Sequence, residues 1–204
     1  MPNRRATLTS YDHVKGYHPY SASIINALAH AGAGAPHTGK PYTEALLAGI
    51  AGGATVGYFV FDYQGSDPQV NILTRNSFNE YGFDAICSRL SIGREVYQTT
   101  SPDKARDNLI AALERGEAPL VWADVFTLGY EYSDLSGDMC AMQPLVVLGY
   151  EEGGEAQIAD RSDVPITLPA ELLDEARARV KKTRYKLATL SLDEEPDLVA
   201  VASA

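Results

Sequence analysis

Apolar residues recur along this chain in two periods, and each predicts its own kind of element. Over residues 21–31, Ile24, Ile25 and Leu28 fall on one face at helical spacing, which predicts a helix with Ser21 as its N-cap. Thr43 is placed to cap a second, Ala- and Leu-rich helix ending near Gly52. Runs rich in aromatic and β-branched residues predict strands over 56–63 and 70–74, with Gly65 and Pro68 in the turn between them. A third helix is expected over 79–90, with Phe83, Ile86 and Leu90 inward and Cys87 among them as a small buried hydrophobe. The strongest local signals follow. Ser101 caps a helix, Pro102 takes its first position, Asp103 lies in the first turn and Gly116 ends it. Residues 119–125 then predict a buried strand, 145–150 and 156–160 a β-hairpin turning at Gly153 and Gly154, 169–182 a helix and 185–192 a last strand. Helices lead and antiparallel strands follow, so the expected fold class is α+β, with N-terminal helices packed on an antiparallel sheet. Residues 1–15 read as a polar N-terminal arm, 16–192 as a single domain and 193–204 as an acidic tail.

The 17 residues from Ala45 to Phe61 carry no charge, close to the shortest membrane-spanning length. Gly49, Gly52, Gly53 and Gly57 interrupt them, and their character changes from Ala/Leu-rich to aromatic and β-branched. A helix, a glycine turn and a core strand account for that change better than one membrane helix.

Composition narrows the partners. The chain has 204 residues and a formal net charge of −10, with 45% apolar and 22% charged residues, which suits one folded domain. The acidic balance argues against general nucleic-acid binding and against an anionic membrane surface. Cys87 and Cys140 form no CxxC pair, and Arg4 and Arg5 are followed by no apolar stretch, so a secretion signal is not expected and a cytoplasmic protein is. No phosphate-loop, nucleophile-elbow or zinc-ligand spacing occurs, and His13, His18, His30 and His37 are too scattered for a metal site, so neither metal nor cofactor is expected.

Several short motifs occur in order: Gly16-Tyr17-His18-Pro19-Tyr20-Ser21; Thr43-Glu44 with Gly49, Gly52 and Gly53; Ala118 to Asp124 with Leu128-Gly129-Tyr130; Gln143-Pro144 through Gly149-Tyr150; Ile158-Ala159-Asp160; and Leu168 to Leu172 with Ala176-Arg177. The series resembles the N-terminal domain of butirosin biosynthesis protein H over about residues 16–180. The C-terminal half that often accompanies that domain is absent from this sequence. The resemblance implies a papain-like, cysteine-peptidase-type fold and an acyltransferase that moves an acyl group from a carrier protein to an amine. In that family the nucleophilic cysteine follows the histidine matching His18, the catalytic histidine opens the strand that ends in Gly-Tyr, and the acid lies on the next strand. Carried over, the nucleophile position is Pro19, the base position Gln143 and the acid position Asp160.

Proline offers no nucleophile, and glutamine accepts no proton near neutral pH. The thioester mechanism therefore lacks both working members. The resemblance leaves His18, Glu44, Asp124 and Asp160 as candidate catalytic residues, and Tyr20, Tyr130 and Gln143 as candidate substrate-binding residues. His18 titrates near neutrality, and a buried polar network holding the loop is the alternative role for all of these. Ser21 and Cys140 are the substitute nucleophiles to weigh, against a helix cap and an inert thiol. Two functions follow. One is a stand-alone tailoring enzyme of natural-product biosynthesis, acting on an acyl- or aminoacyl-derived small molecule by non-covalent acid–base and positioning catalysis. The other is a pseudoenzyme that binds a small molecule or a carrier-bound intermediate. A small-molecule substrate is the expected partner, an acyl carrier protein follows from the resemblance, and a homodimer is left open. Arg177, Arg179, Lys181, Lys182, Arg184 and Lys186 form either a docking patch or a solvated helix face.

Overall fold

Leu145, Val146, Val147 and Leu148 form an unbroken buried apolar run, and the strand that carries them organises the protein. The computed structural model describes residues 4–52, 54–65, 67–76, 80–130 and 139–192. The central strand β6 (Met142–Glu151) pairs with β5 (Leu120–Asp124) on one side and β7 (Glu155–Ala159) on the other. Beyond them lie β9 (Leu187–Leu192), β4 (Ile92–Tyr97) and β8 (Ile166–Pro169), in the order β4-β9-β5-β6-β7-β8. A short β1 (Arg5–Thr7) also pairs with β6, and every pairing in this seven-stranded sheet is antiparallel.

Helices cover both faces. Trp122 of β5 meets Phe83 of α3 (Glu80–Arg89) edge to face, with ring centroids 6.2 Å apart. Strand alternation, counted through the bulge between Val147 and Gly149, puts Tyr150 on the opposite face. There its hydroxyl donates to Asp174 of α6 (Ala170–Ala178) at 2.7 Å, and Arg106 of α4 (Pro102–Glu114) reaches the same carboxylate oxygen at 2.7 Å. α1 (Pro19–His30) packs on β6 and contacts α2 (Glu44–Ile50), which contacts α3. The α+β class is as expected, with a second layer of helices that the N-terminal clustering did not announce. Ser101 accepts from Lys104 N–H at 3.3 Å and caps α4, as its pattern predicts.

Several expectations change. The lead-in read as an irregular arm contains β1: Ala6 and Leu8 are buried between exposed neighbours, an alternation too short to register as a strand. α1 begins at Pro19, two residues before Ser21, because proline needs no N–H partner at the first helical position. The apolar stretch 45–61 divides into α2 and β2 (Ala54–Phe61), and no helix among the described residues is long and apolar enough to cross a membrane. The expected core strand, however, pairs only with β3 (Gln69–Asn76) in a separate hairpin, where Tyr58, Phe59, Val60 and Phe61 are exposed. α6 stops at Ala178, short of 182, and the chain continues through a 3-10 turn (Lys181–Thr183). β4, β8 and the four-residue α5 (Val125–Leu128) were not predicted. The acidic tail 193–204, together with Gly53, Ser66 and Asn79 of the predicted turns and helix, lies outside the described residues.

Candidate functional site

Glu44 is the hub of the motif-bearing loops. It opens α2, whose N-cap Thr43 accepts from Leu46 N–H at 3.2 Å. Its carboxylate reaches across to α1, accepting the N–H of Tyr17 at 3.0 and 3.1 Å, the N–H of His18 at 3.0 Å and the Ser21 hydroxyl at 2.7 Å. One side chain from α2 therefore caps the loop that leads into α1, and the Ser21 hydroxyl is held rather than free to cap. Gly16 makes this crossing fit. A Cβ there would stand 2.3 Å from the Cβ of Ala22 and 3.2 Å from Glu44 Oε1, so the loop passes over the first turn of α1 only without a side chain.

His18 is the N-cap residue of α1, half-buried, with its ring 6.3 Å from that of Tyr20. Burial lowers its pKa below the ordinary histidine value; Glu44 opposes that shift and the Arg161 cation adds to it. The imidazole is therefore neutral at pH 7 and able to accept a proton. Arg161 pairs with Asp160 at 3.1 Å, and Asp160, buried at the end of β7, accepts the Tyr130 hydroxyl at 2.7 Å. His18, Arg161, Asp160 and Tyr130 thus form one electrostatic chain. Arg161 is absent from the candidates read in the sequence, because only the fold shows that it turns back on the carboxylate beside it.

Gln143 is the second residue of β6, paired with Ala123 of β5. Its side-chain oxygen is enclosed and accepts no hydrogen bond among the described residues. The next residue, Pro144, accepts the Ser23 hydroxyl of α1 through its carbonyl at 2.7 Å, so the start of β6 is fastened to the second turn of α1. The segment before α1 is fastened in turn beyond β7, His13 to the Ser162 carbonyl at 2.7 Å and Lys15 to Asp163 at 2.6 Å. Asn26, unremarked in the sequence, holds the same segment: its amide oxygen accepts the Tyr11 hydroxyl and Val14 N–H, and its amine donates to the carbonyls of Val14 and Ala22. A buried asparagine with all its bonds made is a positioning group.

Asp124 faces elsewhere. It ends β5 and caps α5, accepting Thr127 N–H at 3.2 Å, the Thr127 hydroxyl at 2.7 Å and Ala141 N–H at 2.7 Å. Burial pushes its pKa up, but these bonds outweigh it and leave the carboxyl below its usual value. It borders a cavity of about 320 Å³ with Phe126, Met139, Leu172, Glu175 and Arg179. Burial and the negative charge of Asp124 raise the pKa of Cys140, against the opposing Arg179 cation. Cys87 is buried in α3 and is pushed up to about 11 by desolvation. Alkylating Cys140, the exposed thiol, is therefore expected to leave ligand binding and any turnover intact, as measured by iodoacetamide labelling with mass spectrometry and the same assay before and after. Complete loss of function on labelling Cys140 alone, with circular dichroism unchanged, would return it to the list of nucleophiles. Among the described residues no three His, Cys, Asp or Glu side chains stand together as a metal site.

The arrangement defines an α+β domain in which the first turns of a helix lie beside the start of one central strand and the end of its neighbour. Residues 18–161, well over half of the chain, match the family model described as Butirosin biosynthesis protein H, N-terminal, and the chain belongs to that family. Among curated proteins, none matches it.

Proposed function

We propose that this chain is a tailoring enzyme of natural-product biosynthesis on a papain-like scaffold. It acts on an acyl- or aminoacyl-derived small molecule, by cyclisation, condensation or acyl transfer, without a covalent cysteine intermediate. Family membership supports the substrate class, and the replacement of both working positions, by Pro19 and Gln143, removes the covalent route. One observation carries the catalytic reading: a neutral, half-buried His18, fixed through its backbone by Glu44 and facing the charge of Arg161. In this scheme His18 takes a proton from the attacking amine as the carbon–nitrogen bond forms and returns it to the departing thiolate as the acyl carbon–sulfur bond breaks. Arg161 stabilises negative charge developing on the acyl oxygen, and Asp160 with Tyr130 orients Arg161. Gln143 offers its buried oxygen to a donor on the substrate.

Purified protein incubated with acyl and aminoacyl thioesters and amine acceptors, followed by mass spectrometry, tests the proposal. Turnover is expected to fall about a hundredfold in His18→Ala, the scale of losing a general base. Because burial holds the pKa of His18 below the ordinary histidine value, its basic form persists to lower pH than that of a free imidazole, and the acid limb of kcat/KM should be displaced downward accordingly. The second reading, a binding module, is favoured by the proline at the nucleophile position and by the full set of bonds on Glu44. Protein that binds these compounds and converts none of them decides for that reading.

A further inference from the structure

The sequence offers Arg177 as part of a solvated basic face, but the fold buries it, leaving 1% of its surface exposed. It lies in α6, and its Nη2 makes one long bond of 3.4 Å to the Tyr185 carbonyl, with the guanidinium 5.8 Å from the Tyr185 ring centre. Its Nε and Nη1 are enclosed and have no hydrogen-bond partner among the described residues. Those atoms carry three N–H donors in a fixed plane. The carboxylate that acts on Arg177, Asp174, already takes Arg106 and the Tyr150 hydroxyl at 2.7 Å each, and Arg106 adds a like charge. A buried guanidinium left this way is an uncompensated cation, which folded proteins rarely keep without a partner.

Arg177 borders a cavity of about 440 Å³, in the size range of small-molecule sites. Its other lining residues are Thr100, Ala178, Val180, Lys181, Arg184 and Tyr185, so three cations and no carboxylate line it among the described residues. This cationic cluster sits in a chain of net charge −10. Arg184 and Tyr185 are consecutive residues in the left-handed region, with φ of 54° and 48°, a costly conformation for side-chain-bearing residues. Arg184 is anchored there, its carbonyl accepting Thr99 N–H at 2.8 Å. The loop thus holds a strained shape that keeps Arg184 and Tyr185 at the rim of the cavity beside Arg177.

We propose that this cavity is an anion site that takes the phosphate group of a small phosphate monoester, with Lys181 and Arg184 donating to it and Arg177 as the buried charge behind its wall. A phosphate dianion matches an excess of three cations better than a single carboxylate, and its terminal oxygens accept from the exposed Arg184 guanidinium and Lys181 ammonium while the enclosed Arg177 charge adds to the positive field. The space beyond one phosphate, bounded by Tyr185 and Val180, admits a compact organic group.

Titration calorimetry on the full chain, at fixed ionic strength, with inorganic phosphate, phenyl phosphate and acetate tests this. Both phosphates are expected to bind at least about tenfold more tightly than acetate, and Arg177→Met to weaken them by about tenfold or more. Phenyl phosphate binding more tightly than inorganic phosphate supports the monoester; equal affinity, or preference for the inorganic ion, overturns that part and leaves a site for free phosphate. Should Arg177→Met fail to fold, Lys181→Ala and Arg184→Ala, whose side chains are exposed, must each weaken phosphate binding. Acetate matching phosphate, or phosphate binding unchanged in these variants, overturns the site.

Discussion

In a Cys140→Ser background, Pro19→Cys combined with Gln143→His is expected to alkylate about tenfold faster at pH 7 than Pro19→Cys alone. Pro19 is the first residue of a twelve-residue helix, where the dipole and the unpaired N–H groups favour a thiolate. Gln143 is the second residue of β6, and the residue after it, Pro144, is fastened to α1 through Ser23. An imidazole placed there would take the thiol proton and hold it as an ion pair, moving the pH midpoint of labelling to below neutrality. Proline at the first helical position contributes no hydrogen bond, so its replacement leaves the helix ladder intact. Equal rates and equal pH profiles for the single and double variants would show that residue 143 does not face residue 19. The papain-like reading of the site would then fail, whatever the fate of His18. Acyl transfer gained by the double variant, from a thioester the native protein does not turn over, would show that only the two substituted residues separate this chain from the covalent mechanism.

Glu44→Gln should lower unfolding stability by about 2 kcal/mol or more, because an amide cannot accept what the carboxylate accepts. Tyr17 N–H, His18 N–H and the Ser21 hydroxyl all converge on one oxygen, Oε1. A glutamine can set its one carbonyl oxygen at that point, but it brings no negative charge to the three bonds and turns its NH2 group against Tyr17 N–H, which Oε2 also accepts at 3.0 Å. Turnover should fall on the order of a hundredfold in the same variant, since the bond that fixes the His18 backbone loses its charge assistance. Chemical denaturation and the thioester assay, run on the same preparations, separate the two effects. Full turnover in a destabilised Glu44→Gln protein would make Glu44 purely architectural. Unchanged stability would show that the loop finds other acceptors and that the hub is not needed.

Much of the fold was legible one element at a time. Thr43 and Ser101 cap helices through the short-range bonds their spacing predicts, and the hairpin around Gly153 turns where its glycines place it. These rest on contacts within a few residues, which sequence periodicity reports directly. Ser21 shows the limit of that reading: its pattern suits an N-cap, but a carboxylate from 23 positions away takes its hydroxyl and the helix starts earlier. The exposed aromatic face of β2 is a similar case, because an apolar run specifies a strand and not what it packs on.

The site divides the same way. The order of motifs, and with it the family, could be read from residues alone, since it is a matter of identity at matched positions. Which carboxylate does what could not. Glu44, Asp124 and Asp160 are alike in a sequence, yet one ties a loop to a helix, one caps α5 and one anchors Tyr130 and Arg161. Arg177 makes the same point for a cation: six basic residues in ten positions look like a wet surface, and folding draws one of them inside. Charge and hydrogen-bonding capacity belong to the residue, but burial and partners come from chain segments far apart in sequence, and those set the pKa of His18 and the unmet donors of Arg177.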